Sequence, residues 1–336
     1  MVDIKRKVFI YLLLFTMLVV ITSCRTVNLT DEEQRTSLNI TNKQEQSTSL
    51  RFAVMADCRG SDGKINKKAV TKTLENIKKM TPHPLFAVMP GDLVKGISGY
   101  SKMKAQLQDF KDTVTQYYPI SFFYPGFGNH EAKAGEEGEQ AFEEVFTEIK
   151  ANFLEGYHKT VYYFDKNSSR FFMLNSNHPG EDHTISDTQL NWIKENTDPA
   201  KKHNFYFFHE PAYPTGSHVG SSLDVNKLQR DKLWEVIDNS ENPMVFCGHE
   251  HYYTRRHINS DFNETIDDQT FKFSKLVYQV TTGTFGAPLH KKYTEKKGVD
   301  IPPIPEYHFA IVDVSNNKIE VTVYNLSGGV IDHFEQ

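Results

Sequence analysis

The chain has 336 residues, of which 38% are hydrophobic and 12% aromatic, so it can bury one large core or two modest ones. Its formal net charge is −5, and because residues 1–23 hold three basic residues and one acidic residue, the remainder carries −7. No stretch is basic enough to neutralise a row of phosphates, so we expect no binding to duplex nucleic acid.

The N-terminus has the pattern of an export signal. Lys5, Arg6 and Lys7 form a positive region, and residues 8–21 form an apolar run that is short for a membrane span. The run ends in Ile21-Thr22-Ser23-Cys24, which resembles the bacterial lipobox. That resemblance implies a signal peptide over residues 1–23 and lipidation of Cys24. An uncleaved anchor helix is the alternative, and in either case we expect an exported, extracytoplasmic protein of the cell envelope, anchored to a membrane.

The next segment predicts a flexible tether over residues 24–49. It is rich in Thr, Ser, Asn, Gln and Glu and has little to bury, so it cannot offset the entropy of ordering. After Cys24 the chain holds only Cys58 and Cys247. A disulfide between these two cysteines is possible in an exported protein.

Two aspartates follow predicted strands in the first part of the chain. Residues 50–56 form an apolar run that ends at Asp57, and residues 85–89 form another that leads to Asp92. Helical spacing over residues 64–80 lies between them. A right-handed βαβ crossover brings both strand ends to one edge of a sheet, so we expect Asp57 and Asp92 to meet there. Either aspartate alone can equally cap a loop or a helix.

Further polar residues follow later apolar runs. Helical spacing returns over residues 103–117, and a strand over 120–124 leads to Asn129 and His130. A strand over 205–208 leads to His209, and an apolar run before Gly248 leads to His249 and His251. In extended chain, residues i and i+2 point to the same side, so His249 and His251 can aim both imidazoles at one metal ion. From residue 307 the pattern alternates as two strands around 315–317, with a turn at 327–329.

Five motifs in this order resemble those of the calcineurin-like metallophosphoesterases. They are Asp57-x-Arg59, Gly91-Asp92, Gly128-Asn129-His130-Glu131, His209-Glu210-Pro211 and Gly248-His249-Glu250-His251. The loop after His209 and the stretch from His251 to Arg255 are similar to purple-acid-phosphatase-like members, and residues 186–192 resemble a family helix start with Ser186 as its N-cap. The resemblance covers residues 50–336. It implies one catalytic domain with an α/β/β/α sandwich of two mixed β-sheets flanked by helices.

The resemblance also implies two divalent metal ions, of the Mn, Fe or Zn class. Asp92 would bridge them. Of the remaining ligands, one metal would take Asn129, His209 and His249, and the other would take Asp57 and His251. A bridging hydroxide would attack phosphorus. His130 would stabilise charge and act as the general acid, unless it is a buried histidine with a structural hydrogen bond.

Arg59 departs from the family pattern. Most members have a metal-binding histidine at this position, and purple acid phosphatases use a tyrosine at the position of Lys95. Neither Arg59 nor Lys95 can donate a lone pair when charged, so one metal position lacks a protein ligand. A water or another residue completes that position, or the position is weak. Arg59 is a candidate catalytic residue that binds a substrate phosphate through its planar fork, or else pairs with an acid to hold its loop.

The sequence predicts a metal-dependent phosphoester hydrolase that acts on a small phosphorylated substrate, and first of all a phosphomonoesterase. His218, in the loop after His209, is a candidate substrate-binding residue, and His178 and His183 are further candidates, although all three can be solvated loop histidines. A phosphodiesterase of the same fold is the first alternative. A non-catalytic lipoprotein that binds a phosphate or a partner, or serves as a scaffold, is the second.

Overall fold

The computed structural model describes residues 50–60 and 65–336. The export signal, Cys24 and the tether predicted above lie outside the described residues. In the described part, the helices are α1 (Lys67–Lys78), α2 (Tyr100–Val114), α3 (Glu136–Val145), α4 (Asp187–Glu195) and α5 (Lys227–Asn239). None of the helices in residues 50–60 and 65–336 combines the length and the hydrophobicity needed to cross a bilayer.

The strands of this part are β1 (Leu50–Val54), β2 (Ala87–Met89), β3 (Phe123–Pro125), β4 (Asn152–Phe153), β5 (Tyr162–Lys166), β6 (Ser169–Met173), β7 (His203–Phe207), β8 (Pro243–Cys247), β9 (Tyr253–Ile258), β10 (Glu264–Ile266), β11 (Gln269–Phe271), β12 (Val277–Thr282), β13 (Val299–Ile304), β14 (His308–Ser315), β15 (Lys318–Asn325) and β16 (Val330–Glu335). The two strands predicted after residue 307 are β14 and β15. The strand expected over 120–124 is shorter, because a 3₁₀ turn occupies Ile120–Phe122.

The first sheet contains the predicted βαβ unit. Its six strands lie in the order β16-β15-β14-β1-β2-β3. Strands β1, β2 and β3 run parallel, and β14 pairs with β1 in the antiparallel direction. The parallel strands end at the same edge, so the loops that follow β1, β2 and β3 start side by side.

The second sheet has eight strands in the order β13-β9-β12-β8-β7-β6-β5-β4. Strands β6, β7, β8 and β12 are parallel, whereas β4, β5, β9 and β13 pair in the antiparallel direction. A separate hairpin consists of β10 and β11. Both sheets are therefore mixed, as the family resemblance implies, and a second set of parallel strand ends comes from β7 and β8.

Aromatic side chains fill the space between the two sheets. Phe52 of β1 stacks on Phe86 with ring centroids 5.3 Å apart and meets Phe171 of β6 edge to face at 5.2 Å. Phe205 and Phe207 of β7 extend the same cluster. Burying each such ring stabilises the fold by about 1.5–3 kcal/mol, and edge-to-face pairing adds to this. The packed rings fix the two sheets face to face.

Helices cover the outer face of each sheet. The first sheet packs its other face against α1, α2 and α3, with Leu74 and Phe110 in that core. The second sheet packs against α4 and α5, with Trp234 fully buried. Ser186 caps α4 as predicted, because its hydroxyl accepts a hydrogen bond from the Gln189 N–H at 3.5 Å. The four layers confirm the α/β/β/α sandwich.

Candidate metal centre

The predicted metal ligands lie together in the loops that follow β1, β2, β3, β7 and β8. Asp57, Asp92 and His209 place one ligand atom each within 4.8 Å of one another, and all three are buried. Asp57 and Asp92 have left-handed backbone, with φ of +59° and +52°. Such angles are uncommon for residues other than glycine and concentrate at functional sites. Each strand therefore ends in a sharp turn that aims a carboxylate at the cluster.

Two glycines allow the loops to approach this closely. A Cβ on Gly248 would lie 2.4 Å from Asp57 Oδ2, and a Cβ on Gly128 would lie 2.5 Å from Asp92 Oδ1. Real Cβ atoms do not come this near to another heavy atom, so any side chain would push the carboxylates away. The glycines in the motifs therefore serve the packing of the cluster.

The prediction that His249 and His251 lie in extended chain and aim both imidazoles at one metal ion is wrong. The two residues are not extended but left-handed, with φ of +73° and +53°. As a result they face different groups: His249 Nδ1 lies 3.2 Å from His209 Nε2, and His251 Nε2 lies 3.4 Å from Asp57 Oδ1. Glu250 between them turns away and accepts hydrogen bonds from backbone N–H groups of the loop that carries His218.

Backbone carbonyls fix the three imidazoles so that one bare nitrogen of each faces the cluster. His209 Nδ1 donates to Pro90 O at 3.0 Å, and His251 Nδ1 donates to Pro288 O at 2.8 Å, so Nε2 of both rings faces the cluster. His249 is reversed: its Nε2 donates to Ser221 O at 3.1 Å, which leaves Nδ1 free. Metal-binding histidines commonly have such a second hydrogen bond, which sets the tautomer.

One group of donor atoms, termed site A, fits a divalent ion. It consists of Asp92 Oδ1, Asn129 Oδ1, His209 Nε2 and His249 Nδ1, and the first, second and fourth atoms lie 3.3, 3.1 and 3.2 Å from His209 Nε2. Lone pairs this close repel unless a proton or a cation lies between them. Mixed oxygen and imidazole donors suit Mn, Fe or Zn. Site A brings together four of the predicted ligands.

A second group, termed site B, fits a metal ion less well. It consists of Asp57 Oδ1, Asp92 Oδ2 and His251 Nε2, and both carboxylate oxygens are buried without a hydrogen bond. The guanidinium of Arg59 lies beside these atoms, with Nη2 3.4 Å from His251 Nε2 and Nε 3.7 Å from Asp92 Oδ2. Site B therefore already faces one positive charge.

Burial and charge act against each other at the carboxylates. Burial raises the pKa of Asp57 to about 8, although the charge of His209 opposes this rise. Burial also disfavours the charged form of Asp92, but the charges of His209, His130 and Arg59 outweigh it and lower its pKa. Burial lowers the pKa of His209, but the charges of Asp92 and Asp57 outweigh this effect, so its pKa is raised. The cluster thus favours a positive charge at its centre.

His130 lies at the edge of the same cluster and is partly exposed. Its backbone N–H donates to Asp92 Oδ1 at 3.0 Å, and its Nε2 lies 3.8 Å from Asp92 Oδ2. Its Nδ1 contacts Lys95 O and lies 2.9 Å from Lys133 Nζ. Burial lowers the pKa of His130 to about 4 against the pull of the Asp92 carboxylate. The ring is therefore neutral at pH 7 in the metal-free protein, with Nε2 on the side of the cluster.

Glu131 supports this edge of the site. Its fully buried carboxylate accepts hydrogen bonds from the backbone N–H groups of Asp92 at 3.0 Å, Val94 at 3.0 Å and Gly128 at 2.8 Å. Burial and the nearby Asp92 raise its pKa to about 8. We predicted no role for it from the sequence, although it belongs to the motif Gly128-Asn129-His130-Glu131. It ties together the loops after β2 and β3.

His290 is a residue of the site that the sequence did not suggest. Its ring lies 4.3 Å from the ring of His251 and 5.4 Å from that of His218, and the His218 ring lies 3.9 Å from that of His249. The Nδ1 atom of His290 is buried without a partner. Its only signal in the sequence is its place in the loop after β12, which ends at the same edge as β8.

Other candidate residues have structural partners. His178 Nδ1 lies 2.9 Å from the buried Glu139 carboxylate, and His183 Nδ1 lies 2.7 Å from the buried Glu210 carboxylate. These ion pairs hold loops near the site and raise the pKa of both histidines. Cys58 and Cys247 are buried free thiols, so the possible disulfide is absent from the structure. Burial raises the pKa of both thiols, which makes them poor metal ligands.

The motifs and geometry agree with comparisons with known proteins. The family model described as calcineurin-like phosphoesterase matches residues 50–253, which is more than half of the chain. No curated protein matches the chain in sequence.

Solved structures share the fold at low sequence identity. Purple acid phosphatase PPD1 from seeds of yellow lupin (Lupinus luteus) has a TM-score of 0.65 at 16% identity, over 87% of this chain and 54% of that chain. GAP50, the anchor in the inner membrane complex of Plasmodium, has a TM-score of 0.59 at 16% identity, over 85% and 88% of the two chains. PhoD has a TM-score of 0.59 at 13% identity, over 85% and 72%.

At these identities the similarity shows the fold alone, and the chain spans about half the length of the purple acid phosphatase. The family follows from the family model together with the buried cluster of aspartates and histidines. The chain belongs to the calcineurin-like phosphoesterase family.

Proposed function

We propose that the chain is a phosphomonoesterase that acts on a small phosphorylated molecule. The candidate metal ligands in this proposal are Asp57, Asp92, Asn129, His209, His249 and His251, which would hold divalent metal of the Mn, Fe or Zn class. A bound divalent ion supplies a Lewis acid for the phosphoryl oxygens and lowers the pKa of water so that it attacks at neutral pH. The neighbouring residues of the chain bind and orient the phosphate and move the proton.

The positive charge beside the cluster is the observation that favours a phosphomonoester as the substrate. Arg59 lies against Asp92 Oδ2 with 15% of its side chain exposed, and Lys133 Nζ lies 2.9 Å from the His130 ring. A phosphomonoester carries about two negative charges near pH 7, as a protein-bound phosphate does, whereas a diester carries one. Two cationic side chains at one edge of the site therefore favour the dianion. The Arg59 guanidinium can bind two phosphate oxygens in parallel.

His130 is the proposed general acid. Its Nδ1 donates to Lys95 O, which holds the ring in place and turns Nε2 toward the cluster. A dianionic phosphate beside the ring favours its protonated form, because an opposite charge stabilises the cation. The protonated ring can then give the Nε2 proton to the leaving oxygen. His218 contacts the substrate from the opposite side in this proposal, since its ring lies against His249.

The site of action is also part of the proposal. The pattern of residues 1–24 supports lipidation of Cys24 and attachment of the protein to a membrane of the cell envelope. Expression with radiolabelled palmitate tests this point. We expect label in the wild-type chain and none in Cys24→Ser. Equal labelling of both would contradict the proposal.

A substrate comparison tests the reaction class. The full chain is purified in detergent, loaded with Mn²⁺, and assayed on p-nitrophenyl phosphate and bis(p-nitrophenyl) phosphate. We expect kcat/KM for the monoester to exceed that for the diester at least tenfold, and Arg59→Ala to raise KM for the monoester more than for the diester. A preference for the diester would support a phosphodiesterase of the same fold. Metal binding with no turnover of either substrate would support a non-catalytic phosphate- or partner-binding protein.

A further inference from the structure

Arg59 lies beside the place that a metal ion in site B would occupy. A metal ion bound to His251 Nε2 lies about 2.1 Å from that atom. Because Arg59 Nη2 lies 3.4 Å from the same nitrogen, the ion and the guanidinium nitrogen would be separated by at most about 5.5 Å, the sum of the two distances. A divalent cation and a guanidinium would then share one pocket.

The Arg59 side chain is directed into this pocket and is mostly buried. Only 15% of the side chain is exposed, and its Nε is buried without a hydrogen bond. The facing carboxylate oxygen, Asp92 Oδ2, is also buried without one, 3.7 Å away. A buried cation and a buried anion stabilise each other, and separating them exposes each to the cost of an uncompensated buried charge.

The backbone around Arg59 is fixed as well. The neighbouring Cys58 donates its N–H to Asp92 O at 3.1 Å and its thiol to Leu93 O at 2.9 Å, and Arg59 itself forms a β-bridge with Ile65. The Cα of Arg59 therefore cannot retreat without breaking the contacts that hold the loop after β1 against the loop after β2.

The sum of the charges at the centre also disfavours a second metal ion. Asp57 and Asp92 supply two negative charges and Arg59 one positive charge, so the three side chains sum to −1 when ionised. One divalent ion in site A brings the centre to +1, whereas a second ion in site B would bring it to +3. A buried centre of +3 is costly until an anionic substrate binds. Site A has no such conflict, because its other three donors are an amide oxygen and two imidazole nitrogens, which carry no charge when they bind a metal ion.

We propose that Arg59 takes the place of a metal ion at site B, so that the chain holds one divalent ion, at site A. The guanidinium there compensates Asp92 Oδ2 and presents its exposed edge to the substrate phosphate. This inference deepens the proposed function, on which it rests for the role of the centre, but a metal count tests it independently of turnover.

The count uses Mn²⁺ as the probe. The full chain is stripped with a chelator, dialysed against excess Mn²⁺ and freed of loose ions by gel filtration, and the metal per chain is measured. Because the surface residues Glu320, His333 and Glu335 lie close enough to take up an adventitious ion, all variants carry His333→Gln. We expect one Mn²⁺ per chain with Arg59 and two with Arg59→His, which removes the charge and adds an imidazole ligand.

Two further measurements make the result specific. Electron paramagnetic resonance of Arg59→His should show two exchange-coupled Mn²⁺ ions, whereas the chain with Arg59 should show one isolated ion. Arg51→His is the matched control, because Arg51 lies on β1 and pairs with Asp313 at 2.6 Å. It should keep one ion per chain. Arg59→Gln removes the charge without adding a ligand and should take up a second ion more weakly than Arg59→His.

Two Mn²⁺ ions in the chain with Arg59, or none, would overturn the inference. One ion in both folded variants, Arg59→His and Arg59→Gln, would also overturn it, since Arg59 would then not be what excludes the second ion. One bound ion without phosphatase activity would instead contradict the proposed function and leave the inference standing.

Discussion

Sites A and B share one carboxylate but differ in the charge around it. In site A, Asp92 Oδ1 lies 3.3 Å from His209 Nε2 and accepts a hydrogen bond from the His130 backbone N–H at 3.0 Å. In site B, Asp92 Oδ2 faces the guanidinium of Arg59 at 3.7 Å. The donor atoms of both sites are oxygens and imidazole nitrogens. Under the proposal above, ligand types alone do not decide where a metal binds, because a neighbouring cation fills the same electrostatic role.

The largest effect should come from the residue that belongs to both sites. Asp92→Asn removes the charge that holds the centre together, so we expect kcat/KM for p-nitrophenyl phosphate to fall at least about a thousandfold, or about 4 kcal/mol. Asp109→Asn is the control, since Asp109 pairs with Lys67 on the surface and is 45% exposed. It should remain within about twofold of wild type, as surface substitutions usually do. Activity of Asp92→Asn within tenfold of wild type would contradict the assignment.

Removing one histidine from each site tests the comparison directly. His249→Ala takes a ligand from site A, so we expect loss of the bound ion and about a hundredfold lower activity. His251→Ala takes a ligand from site B, which holds Arg59, so the ion should remain and activity should fall only about tenfold. Metal content and kcat are measured on the same samples. Equal loss of metal from both variants would show that the two sites are equivalent.

Loss of the proposed general acid, His130, should affect kcat according to the leaving group and should not affect metal binding. His130→Gln should lower kcat on phenyl phosphate about a hundredfold and leave the metal content unchanged. The better leaving group of p-nitrophenyl phosphate needs less protonation, so the decrease in kcat on this substrate should be smaller. His178→Gln, which breaks the pair with Glu139, is the histidine control. It should change neither kcat on the two substrates nor the metal content. Equal losses on both substrates would leave His130 as a phosphate-binding residue only.

A buried histidine outside both sites separates the effect of burial from that of charge. His308 is fully buried, and burial lowers its pKa to about 4, whereas the equally buried His209 has a raised pKa beside Asp92 and Asp57. Because the unfolded chain binds the proton of His308 more readily, its contribution to stability is complete above pH 6.5 and decreases as the pH falls toward 4. At pH 5 the loss is about 2 kcal/mol.

Urea unfolding of the metal-free protein at pH 7 and pH 5 measures this loss. The His308→Gln variant should lose about 2 kcal/mol less between these pH values than the wild type. An identical decrease in the free energy of unfolding for both proteins would show that His308 is not held neutral by its surroundings.

The fold and the positions of the candidate ligands were predictable because each of these residues follows an apolar run. Asp57 after β1, Asp92 after β2 and His209 after β7 could be placed at strand ends from the sequence, and parallel strands then bring them to one edge. The order of the family motifs along the chain supported this placement. The two sheets followed from the same resemblance, and the aromatic core between them agrees with it.

The finer geometry was not predictable, because it depends on contacts between distant loops. The left-handed backbone of His249 and His251 comes from the tight turn after Gly248, which no periodicity reveals. His290 reaches the site only because β12 lies beside β8. Arg59 could be recognised as a departure from the family pattern, but its distance from Asp92 Oδ2 required the structure.

The most direct test of the account is the dependence of turnover on metal. The full chain is stripped with a chelator, assayed on p-nitrophenyl phosphate, and titrated with Mn²⁺ while activity and bound metal are followed together. We expect no turnover without metal and a rise in activity that ends when one ion per chain is bound. Turnover that is unaffected by the chelator, or no turnover at any Mn²⁺ concentration, would contradict it.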